Sequence, residues 1–220
     1  MRAWTWLRYN PCAALLAAQL FGVLAYPYLD TESTGRQLFA LLGLAVLALT
    51  IIAVRATPLL NWVAWLIALP AVCLLLAQIV SGETWLAAWA SGFEAVLYLY
   101  AAVAMLAYML ADERVTTDEL FALIAVFTLL AWAFAHVYSV VQAAQPHAFT
   151  AATDPENARS WMELLFLSFT TLSSTGLSDV MPISGQARSI VMLEQITGVF
   201  YVAMVVTRLV SISARTRFTR

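Results

Sequence analysis

The residues of this chain best suited to chemistry sit in one polar run, Ser173-Ser174-Thr175-Gly176-Leu177-Ser178-Asp179, set between two apolar stretches. It offers oxygen and almost nothing else: hydroxyls, one carboxylate and the carbonyls of a backbone that a glycine keeps out of a helix. Such a set suits a cation better than an anion and could not attack a substrate without an activating base. No His-Glu-x-x-His, paired aspartates or G-x-S-x-G occurs in the sequence, so an enzyme is not expected. Cys12 and Cys73 lie in separate apolar runs without CxxC or Cys/His spacing and read as small buried hydrophobes.

A short helix should deliver this run. Ser160-Trp161-Met162-Glu163 has capping-box spacing, and LLFLSFTTL continues the pattern to Leu172, which predicts a helix over 160–172. At about 1.5 Å per residue it is too short to cross a hydrocarbon core of about 30 Å.

That core is the relevant solvent. Hydrophobic residues make up 63% of the 220 and charged residues only 11%, against about 45–50% and about 25% in soluble domains. Apolar runs of spanning length recur at 11–28, 37–54, 59–80, 92–111, 119–143 and 189–212. The expected fold is therefore an all-α membrane protein of six transmembrane helices plus a re-entrant helix and loop. It divides into a four-helix scaffold over 1–113 and a second unit over 114–220 that holds the fifth helix, the short helix 160–172, the polar run 173–179 and the sixth helix. The first run has the length of a span and lacks a small-residue cleavage pattern, so it reads as a retained helix and not a signal peptide. The short helix must dip into the bilayer and return. Its C-terminal carbonyls then point inward, which favours a cation, and the polar run is tolerable at that depth only beside water or buried in protein.

Charge sets the orientation. There is no lysine, and with the N-terminus inside, Arg2, Arg8, Arg55, Arg114, Arg208, Arg215, Arg217 and Arg220 fall on the cytoplasmic side, leaving Arg36, Arg159 and Arg188 outside. Both termini are expected in the cytoplasm. Trp4, Trp6, Trp62, Trp85, Trp89 and Trp161 lie near span borders as an interfacial belt would, so lipid is a partner. A net charge of −2 gives no general basic field for nucleic acid, which is not an expected partner.

From Val115 to Ser211 the sequence resembles the tetrameric potassium-channel family, in particular small bacterial members with six spans. The likeness rests on VTTDELFALIAVF, on ELLFLSFTTLSSTGLSDVMP and on ARSIVMLEQITGVFYVAMVVTRLV. Where the family filter reads T-V-G-Y-G-D and then x-x-P, this chain has Ser174, Thr175, Gly176, Leu177, Ser178 and Asp179, with Pro182 following. The resemblance implies a homotetrameric cation channel in a bacterial inner membrane, with a filter over Ser173–Asp179. Monovalent cations, potassium and also sodium, would bind at Ser174, Thr175, Gly176 and Leu177. No other cofactor is implied. The run also looks like the filters of the Trk and Ktr uptake transporters, which carry one glycine and then an apolar residue. Leu177 and Ser178 depart from the T-V-G-Y-G pattern, so weak discrimination among cations is expected; Ser178 in a left-handed conformation would cost about 1–2 kcal/mol. The same departures leave open a second reading, a non-conducting homologue with a structural or regulatory role.

Ser160, Glu163, Glu194 and Gln195 are the expected supports of this loop, the last two bracing it from one turn into the sixth helix. Gly198 is a gating-hinge candidate, with close helix packing as its competitor. His136 is expected to bond a neighbouring helix, and Glu94 to be exposed near the outer interface. The fourth span, FEAVLYLYAAVAMLAYMLA, has no arginine, so the first four helices lack the charges of a voltage sensor.

Overall fold

The computed structural model describes residues 10–29, 33–55, 61–81, 84–111 and 117–218. Among the described residues, seven helices and two short strands follow one another: α1 (Pro11–Leu29), α2 (Ser33–Arg55), α3 (Asn61–Ser81), α4 (Thr84–Ala111), α5 (Thr117–Ala144), β1 (Phe149–Ala151), α6 (Trp161–Leu172), β2 (Val180–Pro182) and α7 (Gly185–Phe218). Arg2, Arg8, Arg114, Arg220 and the tryptophans Trp4 and Trp6, on which part of the orientation argument rests, lie outside the described residues, as do the side chains of Arg36, Arg55, Arg215 and Arg217.

Among the described residues, four helices carry stretches long and apolar enough to cross a membrane: Pro11–Tyr28, Trp85–Leu110, Thr117–Ala144 and Gly185–Val210. Shorter apolar stretches occupy Leu42–Val54 in α2 and Trp62–Gln78 in α3. The fourth helix begins well before the expected border at 92. Trp85 to Ala90 are good helix formers with no proline or glycine among them, so the helix propagates back to Thr84.

The middle of the bundle is α5, which packs on α1, α4, α6 and α7. Its composition explains the position. Ala122, Ala125, Ala131, Ala133 and Ala135 are all buried and let neighbouring backbones come close, while Leu129 and Trp132 fill the gaps between them. Space against α1 is tight: a Cβ added to Gly22 would meet the side chains of Leu42 and Trp132 at 3.1 and 3.2 Å. Proline opens α1, where a missing amide costs little, and the next amide, that of Cys12, donates to Asp118 Oδ1 at 3.1 Å. Cys73, expected to be buried, is instead exposed on the bundle's outer surface. A single small hydrophobe on a surface needs no special partner.

The sequence gives no strand signal, but a two-stranded antiparallel ribbon forms, pairing Phe149 with Pro182, Thr150 with Met181 and Ala151 with Val180. It ties the segment after α5 to the segment after the polar run. Phe149 is buried against Tyr138, with ring centroids 5.2 Å apart. These residues join Leu164, Leu167 and Val191 in a second, smaller core at this end of the molecule.

Candidate functional site: the turn at 173–178

Helix α6 is held at its start by local chemistry. Ser160 Oγ accepts from the Glu163 amide at 3.3 Å and the Ser160 amide donates to Glu163 Oε2 at 2.6 Å, the reciprocal pair of a capping box. Two further attachments were not legible in the sequence. The Gln142 side chain reaches from the end of α5 to pair with the backbone of Arg159: its amide donates to the Arg159 carbonyl at 2.9 Å, and its carbonyl accepts from the Arg159 amide at 2.8 Å. The Arg159 guanidinium is itself buried and donates to the carbonyls of Thr153 and Asn157 and to Glu163 Oε1, at 3.2, 3.1 and 3.2 Å. It thereby closes the loop after β1 onto the helix.

The middle of α6 is gripped from two sides. Ser168, fully buried, donates to the Ala131 carbonyl of α5 at 2.8 Å, and its oxygen also contacts Glu194 Oε1 of α7. The Tyr138 hydroxyl of α5 donates to the other oxygen of the same carboxyl. Glu194 has 0% exposure, so all three helices meet on one side chain. Glu194, an expected support of the loop, touches α5 through Tyr138 and α6 through Ser168. Gln195 takes no part in this contact: it is exposed, because one residue along a helix turns the side chain by about 100° away from α6. Tyr138 and Ser168 could not be picked out beforehand, since nothing local in either stretch announces a partner.

Helix α6 ends in a turn that uses its amides and leaves its carbonyls free. The Ser173 amide donates to the Phe169 carbonyl and the Ser174 amide to that of Thr171, both at 3.0 Å. The amides of Thr175 and Gly176 both donate to the Thr170 carbonyl, at 2.9 and 3.1 Å. Ser173 Oγ and Thr175 Oγ1 lie 3.0 Å apart. Among the described residues no hydrogen bond uses a backbone carbonyl of Ser173 to Ser178. Residues 173–177 are exposed, Leu177 at 77%.

The backbone strain falls elsewhere than at Ser178. Ser174 has φ 60° and Gly176 φ 65°, whereas Thr175, Leu177 and Ser178 are not in the left-handed region. Ser178 avoids the cost by leaving the run early: its Oγ accepts from the Val180 amide at 3.1 Å, a local turn typical of serine, and the chain passes directly into β2. The left-handed cost is borne at Ser174 instead. The acidic side chains Asp154, Glu156 and Asp179 are all exposed at the same end of the molecule.

The remaining ionisable residues lie away from this turn. Glu94 is buried, contrary to the exposure expected of it, because α4 begins at Thr84 and carries it inside the helix contact. Its Oε2 lies 3.4 Å from His136 Nδ1 of α5, but no hydrogen bond joins them: the expected bond is replaced by a close approach, and the imidazole ring packs 5.7 Å from that of Trp161, the first residue of α6. At the opposite end of α7, Arg208 approaches Glu119 of α5 at 4.0 Å, and the Tyr201 hydroxyl donates to the Leu123 carbonyl. Gly198 lies against the Leu172 carbonyl.

A family model described as "Ion channel" matches residues 123–214, from the second turn of α5 through α6 and the turn 173–178 to the far part of α7. Protein LctB of Geobacillus stearothermophilus is 35% identical over 108 residues, which cover 48% of this chain and 80% of that protein. No solved structure matches. The family is one of channels and not of enzymes, and its members are integral to membranes. With a match centred on the elements that build this turn, the chain belongs to the ion-channel family and, through it, to the potassium-channel superfamily.

Proposed function

We propose that the chain is one subunit of a homotetrameric channel for monovalent cations, in which the turn 173–178 is the selectivity filter and α7 lines the path below it. The observation that carries this is the division of polar groups at the turn: the amides of 173–176 and the hydroxyls of Ser173 and Thr175 are spent on α6 and on each other, while among the described residues the backbone carbonyls of 173–178 accept no hydrogen bond. Oxygen ligands of this kind replace the water of a cation. With only 12 residues, α6 extends about 18 Å, which supports a re-entrant helix. α1 to α5 and α7 then make six spans, with the N- and C-termini in the cytoplasm of a bacterial cell and the ribbon outside. The helix dipole of α6 and the acids Asp154, Glu156 and Asp179 favour cations at the mouth.

Four copies follow from the same residues. One turn cannot enclose a path, whereas copies around an axis can. Only 22% of the α7 stretch is buried, against 61% for α5. Its buried stripe is Ala187, Val191, Glu194, Gly198 and Tyr201, and apolar residues such as Met192, Ile196, Val199, Phe200 and Val206 lie exposed on its other faces. Those faces suit neighbouring subunits and a cavity. Leu177 in place of a tyrosine, and Ser178 turning away early, leave fewer carbonyls converging on the axis, so potassium and sodium both pass.

Cation flux into liposomes holding the purified protein tests the reading. Potassium-driven flux above that of empty liposomes is expected, together with a cross-linked species of four chains. Sealed vesicles at every cation tried would replace the channel with a non-conducting homologue.

A further inference from the structure

Two residues of α7, one turn apart, meet two residues of α6, also one turn apart: Glu194 contacts Ser168, and Gly198 contacts Leu172. The second contact is the closest approach of backbones at any described glycine. A Cβ on Gly198 would lie 2.1 Å from the Leu172 carbonyl oxygen, 2.8 Å from its carbon and 3.0 Å from its Cα. These are backbone atoms at the last residue of α6, and the turn begins at the next residue. Gly198 itself has no positive φ, so space and not backbone freedom is what calls for glycine here. Further down the same stripe, Tyr201 and Arg208 continue at seven-residue intervals from Glu194, and each reaches α5.

Taking 173–178 as the filter, we propose that Glu194 and Gly198 form a two-point clasp that joins α7 to α6 as one rigid piece. Both are positioning residues for the filter carbonyls, and α7 does not bend at Gly198. A bend there would pull the helix from the carbonyl it is seated on and separate Glu194 from Ser168. Movement of the lining helix at this level therefore carries the filter with it, and a disturbance of either contact is read as a change in which ions pass.

The test compares wild type with Gly198→Ala, Glu194→Leu, Glu194→Gln and Ser168→Ala, all in the same lipid. The first readout is amide hydrogen exchange over 173–176, where every amide is bonded back to α6, with the α4 segment 98–105 as an internal control. The second is the potassium-to-sodium permeability ratio. Gly198→Ala and Glu194→Leu should speed exchange over 173–176 at least tenfold, leave 98–105 unchanged and shift the permeability ratio. Glu194→Gln should restore protection, because an amide can accept from Tyr138 and donate to Ser168. Ser168→Ala, the mildest change, should give a several-fold acceleration and keeps the test open should Gly198→Ala not assemble. Wild-type exchange and permeability in Gly198→Ala, with only open probability altered, would restore the hinge and overturn the clasp, as would Glu194→Gln behaving like Glu194→Leu. Should wild type not conduct at all, the channel reading falls on the second readout while the first still decides the clasp.

Discussion

Replacing Gln142 by leucine removes the double hydrogen bond that holds the start of α6 to the end of α5, with little change of volume. Each of the two bonds, at 2.9 and 2.8 Å, contributes about 0.5–1.5 kcal/mol net. Arg159 is buried at 5% exposure, so its amide and carbonyl, left unpaired, add part of a desolvation penalty of about 1–3 kcal/mol each. Gln142 is only half-buried, and water entering from that side recovers part of the penalty. The balance is a loss of about 2 kcal/mol, a factor of about 30 in the folding equilibrium. Gln142→Glu keeps the acceptor for the Arg159 amide but cannot donate to its carbonyl, so it should fall between leucine and wild type. Equilibrium unfolding in mixed micelles, extrapolated to zero denaturant, measures all three. A loss below about 0.5 kcal/mol for Gln142→Leu, or a glutamate variant as stable as wild type, would refute the claim that this pair seats the helix.

Cysteines introduced singly from Val199 to Val206 should label from the aqueous side with a three-to-four-residue spacing, with position 201 protected because Tyr201 is on the buried stripe; uniform protection would remove α7 from the cavity. Arg208→Glu and Glu119→Arg should each destabilise the chain and partly rescue one another, with a coupling of about 1 kcal/mol for this largely buried but loosely approaching pair. Zero coupling in that double-mutant cycle would mean that the 4.0 Å approach contributes nothing to holding the far end of α7.

What the sequence made legible was local or periodic. Ser160 and Glu163 are three residues apart, and a capping box needs nothing beyond that spacing, so the start of α6 could be read directly. The long apolar runs likewise announce helices, because every backbone group in lipid must find a partner within its own segment. Contacts between helices left no such trace. Tyr138 and Ser168 meet Glu194 only after three helices pack, and Gln142 finds Arg159 across 17 residues. Glu94 departs from expectation for a related reason: its run of strongly apolar residues starts near 92, but alanines and tryptophans extend the helix to Thr84 and take Glu94 inside. At the turn 173–178 the residue types are readable in the sequence and the conformation is not. The left-handed position expected at Ser178 moved to Ser174, since a serine that can close a turn with its own hydroxyl has a cheaper exit through the Val180 amide. The ribbon of β1 and β2 was invisible because three-residue strands carry no period.

The central claim, that cations pass through the turn 173–178 with weak discrimination, is tested most directly by reversal potentials. The purified protein is placed in a planar bilayer with potassium chloride on one side and sodium chloride on the other, as wild type and as Leu177→Tyr combined with Ser178→Gly. Wild type should exclude chloride and reverse near 0 mV, on the order expected when two cations permeate alike, and the double variant should shift toward the potassium equilibrium potential. A wild type that is already strongly potassium-selective would contradict the weakened filter, and one that carries chloride or no current would contradict the channel itself.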